Sequence, residues 1–149
     1  MLDPKEAEPV PWRNGAGTTR EMAFSICGDG RTAWRISVAD LDLDASFSYF
    51  PDMDRIFVPL NPLSLTIDGV VTVLGACEQV RFAGESTVTV NLVEATRALN
   101  VMTRRGQCRA EIGLRDIDTP PEKATFTSIR LGATAADISL LPWMKDVHD

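Results

Sequence analysis

Histidine is almost missing from this chain. Of 149 residues only His148 is one, at the penultimate position, where chain ends usually fray. That scarcity excludes Ser–His–Asp triads, Cys–His pairs and histidine-based metal sites, and neither a metal nor another cofactor is expected. Cysteine is sparse too. Cys27, Cys77 and Cys108 are odd in number, far apart, and form no C-x-x-C pair. Neither a zinc knuckle nor a redox motif is indicated, and free thiols in a reducing cytoplasm are expected. Positive charge is in deficit: 15 Lys and Arg against 21 Asp and Glu give a net charge of −6. This argues against a nucleic-acid surface, but a single cationic cleft is compatible with it. No apolar run approaches the roughly 20 residues that span a bilayer. The acidic start MLDPKEAEPV lacks the apolar stretch of a signal peptide. The expectation is a cytoplasmic protein with neither a nucleic-acid nor a membrane partner.

Helical periodicity is also absent beyond two turns, and what replaces it is alternation with a period of two. AWRISVA sets Trp34, Ile36 and Val38 against Arg35 and Ser37, and TVTVNLV sets Val88, Val90 and Leu92 on one face. ALNVMTR opposes Leu99 and Val101 to Asn100 and Met102, while KATFTSIRL and DISLLPW read as further strands. In LSLTIDGVVTV, Asp68-Gly69 between two β-rich runs predicts a two-residue hairpin turn with positive φ. Short strands joined by Gly, Pro and Asp predict an all-β, antiparallel sandwich or barrel. The length suits one domain, 1–149, which buries roughly 70% of its unfolded surface. RDIDTPPEK, with Pro120-Pro121, divides a strand-rich main part, about 10–116, from a C-terminal part, about 122–149. The latter is shorter than the ~50 residues of an independent domain.

Three stretches are chemically dense. PWRNGAGTTREM, Pro11 to Met22, fails as a Walker loop because no Lys follows its glycines, and as a dinucleotide fingerprint because the third glycine and the following βαβ unit are missing. It remains either a loop whose backbone approaches a ligand closely or a turn in which Asn14 and the threonines satisfy their own backbone. SYFPDMDRIFVPL surrounds Asp52, Asp54 and Arg55 with apolar residues. Those charges are an exposed loop pair or, if buried, must be partnered. LNVMTRRGQ ends a strand on Arg104 and Arg105. Such a pair lies in solvent or supplies planar forks for a carboxylate. The methionines Met22, Met53, Met102 and Met144 read as core filler.

Together and in order, these stretches resemble the HutD/Ves family, whose opening pattern is Trp-Lys/Arg-Asn-Gly-Gly-Gly-Thr-Thr-Arg-Glu. Trp12, Arg13, Asn14, Gly15, Gly17, Thr18, Thr19, Arg20 and Glu21 match it, with Ala16 in place of the middle glycine. Trp34, Arg35 and Ser37 match a second block. Phe47, Ser48, Phe50, Pro51, Asp54 and Arg55 match a third, and Asn100, Val101, Met102, Thr103 and Arg104 a fourth. The resemblance implies a cupin-like β-sandwich of bicupin architecture. Its second barrel would be abbreviated here, because few residues follow Gly106, and a homodimer would cover the exposed edge. It also implies an accessory or regulatory role associated with histidine utilisation, with a pocket for a small acidic ligand such as formate, urocanate or formylated glutamate.

On that basis the expected function is non-catalytic binding of a small carboxylate. Asn14, Thr18, Arg35, Arg55 and Arg104 are the expected ligand contacts. Trp12, Gly15, Gly17, Glu21, Trp34, Asp54 and Asn100 are motif or structural residues. Two alternatives stand beside it: a metal-independent lyase or isomerase, for which Glu21, Asp54 and the cysteines are the available bases, and a protein-interacting regulator with a vestigial pocket.

Overall fold

The alternation becomes strands throughout a computed structural model that describes residues 1–121 and 125–142. In chain order these are β1 (Pro9–Pro11), β2 (Gly17–Ile26), β3 (Thr32–Leu41), β4 (Ala45–Ser46), β5 (Met53–Pro59), β6 (Leu63–Ile67), β7 (Val70–Leu74), β8 (Val80–Ala83), β9 (Val88–Leu92), β10 (Thr96–Arg104), β11 (Cys108–Asp116), β12 (Thr127–Leu131) and β13 (Thr134–Pro142). The helical content among the described residues is one 3-10 turn, Pro4–Glu6. Asp68 and Gly69 have φ of 49° and 84°. With Ile67 opposite Val70 they form the predicted tight hairpin, whose left-handed residues match the twist of the flanking strands. His148 and Met144 lie outside the described residues.

The strands form three antiparallel sheets. A central six-stranded sheet has the order β1-β2-β3-β10-β5-β8, a four-stranded sheet β4-β9-β6-β7, and a three-stranded sheet β11-β13-β12. Because side chains alternate along a strand, each face of the central sheet carries its own core. Ile36, Val38, Ile56, Val58, Leu99 and Val101 pack against Ile112, Ile129, Leu131 and Ile138 of the three-stranded sheet. Ala39, Leu41, Phe57, Phe82 and Ala98 face Leu63, Leu65, Leu74, Val88 and Val90 of the four-stranded sheet. The faces of β3 and β10 are those read from the sequence.

The six- and four-stranded sheets make a cupin-like sandwich, and the third sheet covers its back. Among the described residues this third layer is an open sheet, in which β11 and β12 flank β13 and Leu2 adds a single parallel bridge to the outer edge of β12 at Ile129. The Pro120-Pro121 run therefore connects strands of a single sheet rather than separate packing units. Strand β10 lies beneath both layers and is buried along nearly its whole length. Its polar residues Thr96, Asn100, Thr103 and Arg104 are buried with it, and each needs a polar partner or an opening.

Candidate functional site

Beside the second core, on the same face of the central sheet, a cavity of about 740 Å³ opens between β2, β3, β5 and β10 and the segments 8–14 and 46–50. Strand register explains which side chains reach it. Met102 stands opposite both Arg35 of β3 and Arg55 of β5, so the two arginines flank one residue in a single cross-strand row. Asn100 stands between Ser37 and Phe57 in the next row, and Glu21 of β2 is opposite Ser37. All of these line the cavity. Backbones two strands apart are separated by roughly 10 Å, so side chains as long as arginine reach into the same space.

Arg55 is the unusual member. It is 7% exposed, and among the described residues no carboxylate pairs with it. Its Nη1 donates to the Ser48 carbonyl and its Nη2 to Asn100 Oδ1, both at 3.3 Å, and its Nε has no partner. Three phenyl rings surround the guanidinium, with centroids 5.3 Å (Phe47), 5.3 Å (Phe50) and 5.1 Å (Phe82) from Cζ. Ring faces attract a cation, by ~2 kcal/mol where water is excluded, but they do not replace a counter-ion. Burial, with the nearby Arg35 charge adding to it, pulls the Arg55 pKa down to about 10. The group stays protonated at neutral pH and remains an uncompensated charge facing a cavity. Arg35 differs: Glu21 Oε1 lies 3.0 Å from its Nε, close enough to pair as an ion but without the alignment of a hydrogen bond, which leaves that N–H unsatisfied.

The glycine-rich loop turns out to hold itself. Asn14 Oδ1 accepts from Ala16 N, and Gly15 N donates to the Trp12 carbonyl. Gly15 has φ of 73°, where glycine fits without strain. Trp12 N donates to the Gly17 carbonyl, and Trp12 Nε1 donates to Thr19 Oγ1 at 2.7 Å. Gly17 is required for contact: a Cβ there would sit 2.4 Å from the Asp40 carbonyl oxygen. With the N–H groups of Trp12, Gly15 and Ala16 used inside the loop, it forms a wall that does not offer them to an anion. Asn14 and Trp12 still border the cavity.

Two residues assigned to the ligand from sequence lie outside this wall. Thr18 pairs with Asp40 and Thr19 with Ala39. It is Thr19 and Ala39 that border the cavity, so Thr18 takes the opposite face. There Arg20 and Arg97 both pair with Asp40, at 3.5 and 2.8 Å. Arg104 is buried at the far end of β10 and donates from Nε to the Thr32 carbonyl at 2.7 Å, tying that strand end to β3. Asp54, next to Arg55 in the strand and thus on the other face, forms the exposed pair, with Arg105 Nε at 3.0 Å. Trp34 also faces away from the cavity and meets Phe126 edge-on at 5.1 Å.

The residues that the sequence reading left without a site role include the aromatic cage, Ser37, Ser48 and Thr19. Phe47, Ser48 and Phe50 sit in a matched block, and only their proximity to Arg55 in the fold gives them one. Gly84 positions the cage, because its carbonyl accepts from Phe50 N at 2.8 Å and its own N–H donates to the Met53 carbonyl at 2.7 Å. Among the described residues no three His, Cys, Asp or Glu side chains gather as metal ligands, and no helix is long and apolar enough to cross a membrane.

An antiparallel sandwich with a polar cavity at one side of its inner face is a cupin-type architecture. An RmlC-like cupin from Shewanella frigidimarina shares the sandwich fold, with a TM-score of 0.54 over 67% of this chain and 86% of that one at 11% identity. The HutD family model matches residues 4–138, and the chain belongs to that family. Protein Ves from Citrobacter koseri is 34% identical over 110 residues, covering 70% of this chain and 58% of the relative. HutD from Pseudomonas fluorescens SBW25, solved in a formate condition, superposes with a TM-score of 0.71 at 26% identity over 77% of this chain and 65% of that one. The chain thus spans about three-fifths to two-thirds of the length of these relatives.

Proposed function

We propose that this protein binds a small carboxylate in the cavity between β2, β3, β5 and β10, without catalysis, as an accessory or regulatory component associated with histidine utilisation. The observation that carries the proposal is Arg55: a charged, buried guanidinium with a free Nε, lining a cavity whose inner carboxylate, Glu21, lies against Arg35 instead. A planar carboxylate supplies the missing charge and accepts from a guanidinium fork in two-point geometry. Asn100, Ser37 and the Asn14 amide are directional neutral donors around it. The formate condition in which the P. fluorescens relative was solved is in keeping with this chemistry, since formate is the simplest carboxylate. Formate fills a small part of about 740 Å³, so the cavity suits a longer molecule whose body lies against Trp12, Phe47 and Phe57. The homodimer and the correspondence of the three-stranded layer to an abbreviated second barrel belong to the same proposal; a solution mass that stays monomeric at high concentration counts against the former.

The test is thermal unfolding against a panel of carboxylates, including the histidine-pathway intermediates, beside uncharged amides of the same shape. A ligand at 100 times its Kd adds about 2.7 kcal/mol, a rise in Tm of roughly 5–10 °C for a chain of this size. If no carboxylate raises Tm more than its amide does, the proposal is wrong.

A further inference from the structure

The charged groups around the cavity are unequal in a way that bears on which anion it takes. Among the described residues five line it: Glu8, Arg13, Glu21, Arg35 and Arg55. Glu8 and Arg13 are exposed, opposite in sign, and lie in the segment that forms the rim. Solvent and salt screen such groups strongly. The inner three are Arg55, which has no counter-ion, and Arg35, which has Glu21 at 3.0 Å. Their sum is one positive charge. Beyond them the wall turns apolar through Met102, Phe57, Phe47 and Leu41, and among the described residues no further inner cation stands ready to receive another anionic group.

We propose that Glu21 selects the charge of the ligand, so that the cavity accepts a monocarboxylate with an uncharged body and rejects a dicarboxylate of the same shape. This rests on the carboxylate reading above and adds a specificity determinant to it. A ligand carboxylate engages Arg55. A second carboxylate on the same molecule has Arg35 as its only inner cation, and there it meets the Glu21 carboxylate already in place. Like charges at such separations repel strongly when water is partly excluded, and specificity often resides in a repulsive element of this kind. An uncharged amide at the same position meets no repulsion and can donate to Glu21.

The experiment compares succinamate with succinate, two molecules of one shape that differ by a single charge, by titration calorimetry at fixed low salt. The wild type is expected to prefer succinamate by tenfold or more. In Glu21→Gln the preference falls to less than threefold or inverts. Glu21→Ala gives the same collapse, with melting temperatures showing that both variants are folded; Glu21 is half exposed and supports no core. A merely structural glutamate would change both affinities by one factor and leave their ratio alone, and that result overturns the inference while leaving carboxylate binding intact. A wild type that prefers succinate overturns it as well. If neither molecule binds any variant and the wider panel is also silent, the carboxylate reading fails and this inference with it.

Discussion

Replacing Arg55 by methionine separates a binding residue from a structural one, and the structure sets the numbers. Methionine keeps the apolar stem among Phe47, Phe50 and Phe82 but removes the charge. A fall in pKa from the ordinary arginine range to about 10 corresponds to roughly 3–4 kcal/mol of penalty on the charged form, and that penalty disappears with the guanidinium. Against it stand the lost ring contacts, up to about 2 kcal/mol, and two long hydrogen bonds at 3.3 Å, about 0.5–1 kcal/mol each. The two sides nearly cancel. The ligand-free variant is therefore expected to unfold within about 1 kcal/mol of the wild type in urea, while the carboxylate-induced rise in Tm vanishes. A buried ion whose role was to hold the fold would instead leave an unsatisfied hole on removal, a loss of about 3–5 kcal/mol. Equilibrium unfolding of the ligand-free proteins distinguishes the two. A loss above about 3 kcal/mol, or a surviving carboxylate shift, refutes the reasoning.

Three further outcomes are expected. In Gly84→Ala the new Cβ lies 2.0 Å from the Phe50 carbonyl oxygen; the segment carrying Phe50 must move, and carboxylate affinity measured by calorimetry drops tenfold or more alongside a stability loss of ~2 kcal/mol. Thr19→Val removes the acceptor of Trp12 Nε1 and lowers stability by about 1 kcal/mol with a change in tryptophan emission, whereas Thr18→Val, on the opposite face, leaves ligand binding unchanged. Asp137 sits within 2.8 Å of Arg115 Nε and 2.6 Å of Ser128 Oγ; burial raises its pKa, but the two donors outweigh it and the net shift is downward. Its stabilisation is then present above the unfolded carboxylate pKa and lost as pH falls through the lower folded value. The Tm of the wild type should drop below about pH 4 more steeply than that of Asp137→Asn, a variant that itself loses about 2–3 kcal/mol at pH 7.

Much of the fold was legible because the physics that fixes it is local. Alternation in AWRISVA and ALNVMTR assigns each side chain to a face, and Asp68-Gly69 fixes a turn whose dihedrals the backbone then adopts. The site was only partly legible. Arg35 and Arg55 come from strands separated by β10, and only the register of both against Met102 places them in one row. Thr18 and Thr19 are chemically alike, and which one faces inward depends on where β2 pairs with β3. That pairing shifts at a bulge just beyond Glu21, so no count from the strand's far end could give it. Arg104 shares parity with Asn100 and Met102 but sits past the row, where a carbonyl claims it. The phenyl cage was invisible because aromatic residues in an apolar run predict burial, and nothing in the run says that a cation will be buried with them.

The third sheet explains how such a site can persist. In a two-layer sandwich the strands under the cavity would have water on their outer face, and a buried arginine with no counter-ion would weigh on a fold held from one side only. Here the reverse faces of β3, β5 and β10 carry Ile36, Val38, Ile56, Val58, Leu99 and Val101, all nearly inaccessible and packed on the three-stranded layer. Burial of one such side chain contributes roughly 1.5–3 kcal/mol, so this face outweighs the strain of the other several times over. Stability and binding thereby fall to opposite faces of the same strands. Truncating Val101 or Ile36 should cost stability at nearly constant carboxylate affinity in the folded fraction. Changing Arg55 or Glu21, one strand position or one row away, should alter affinity or selectivity at nearly constant stability.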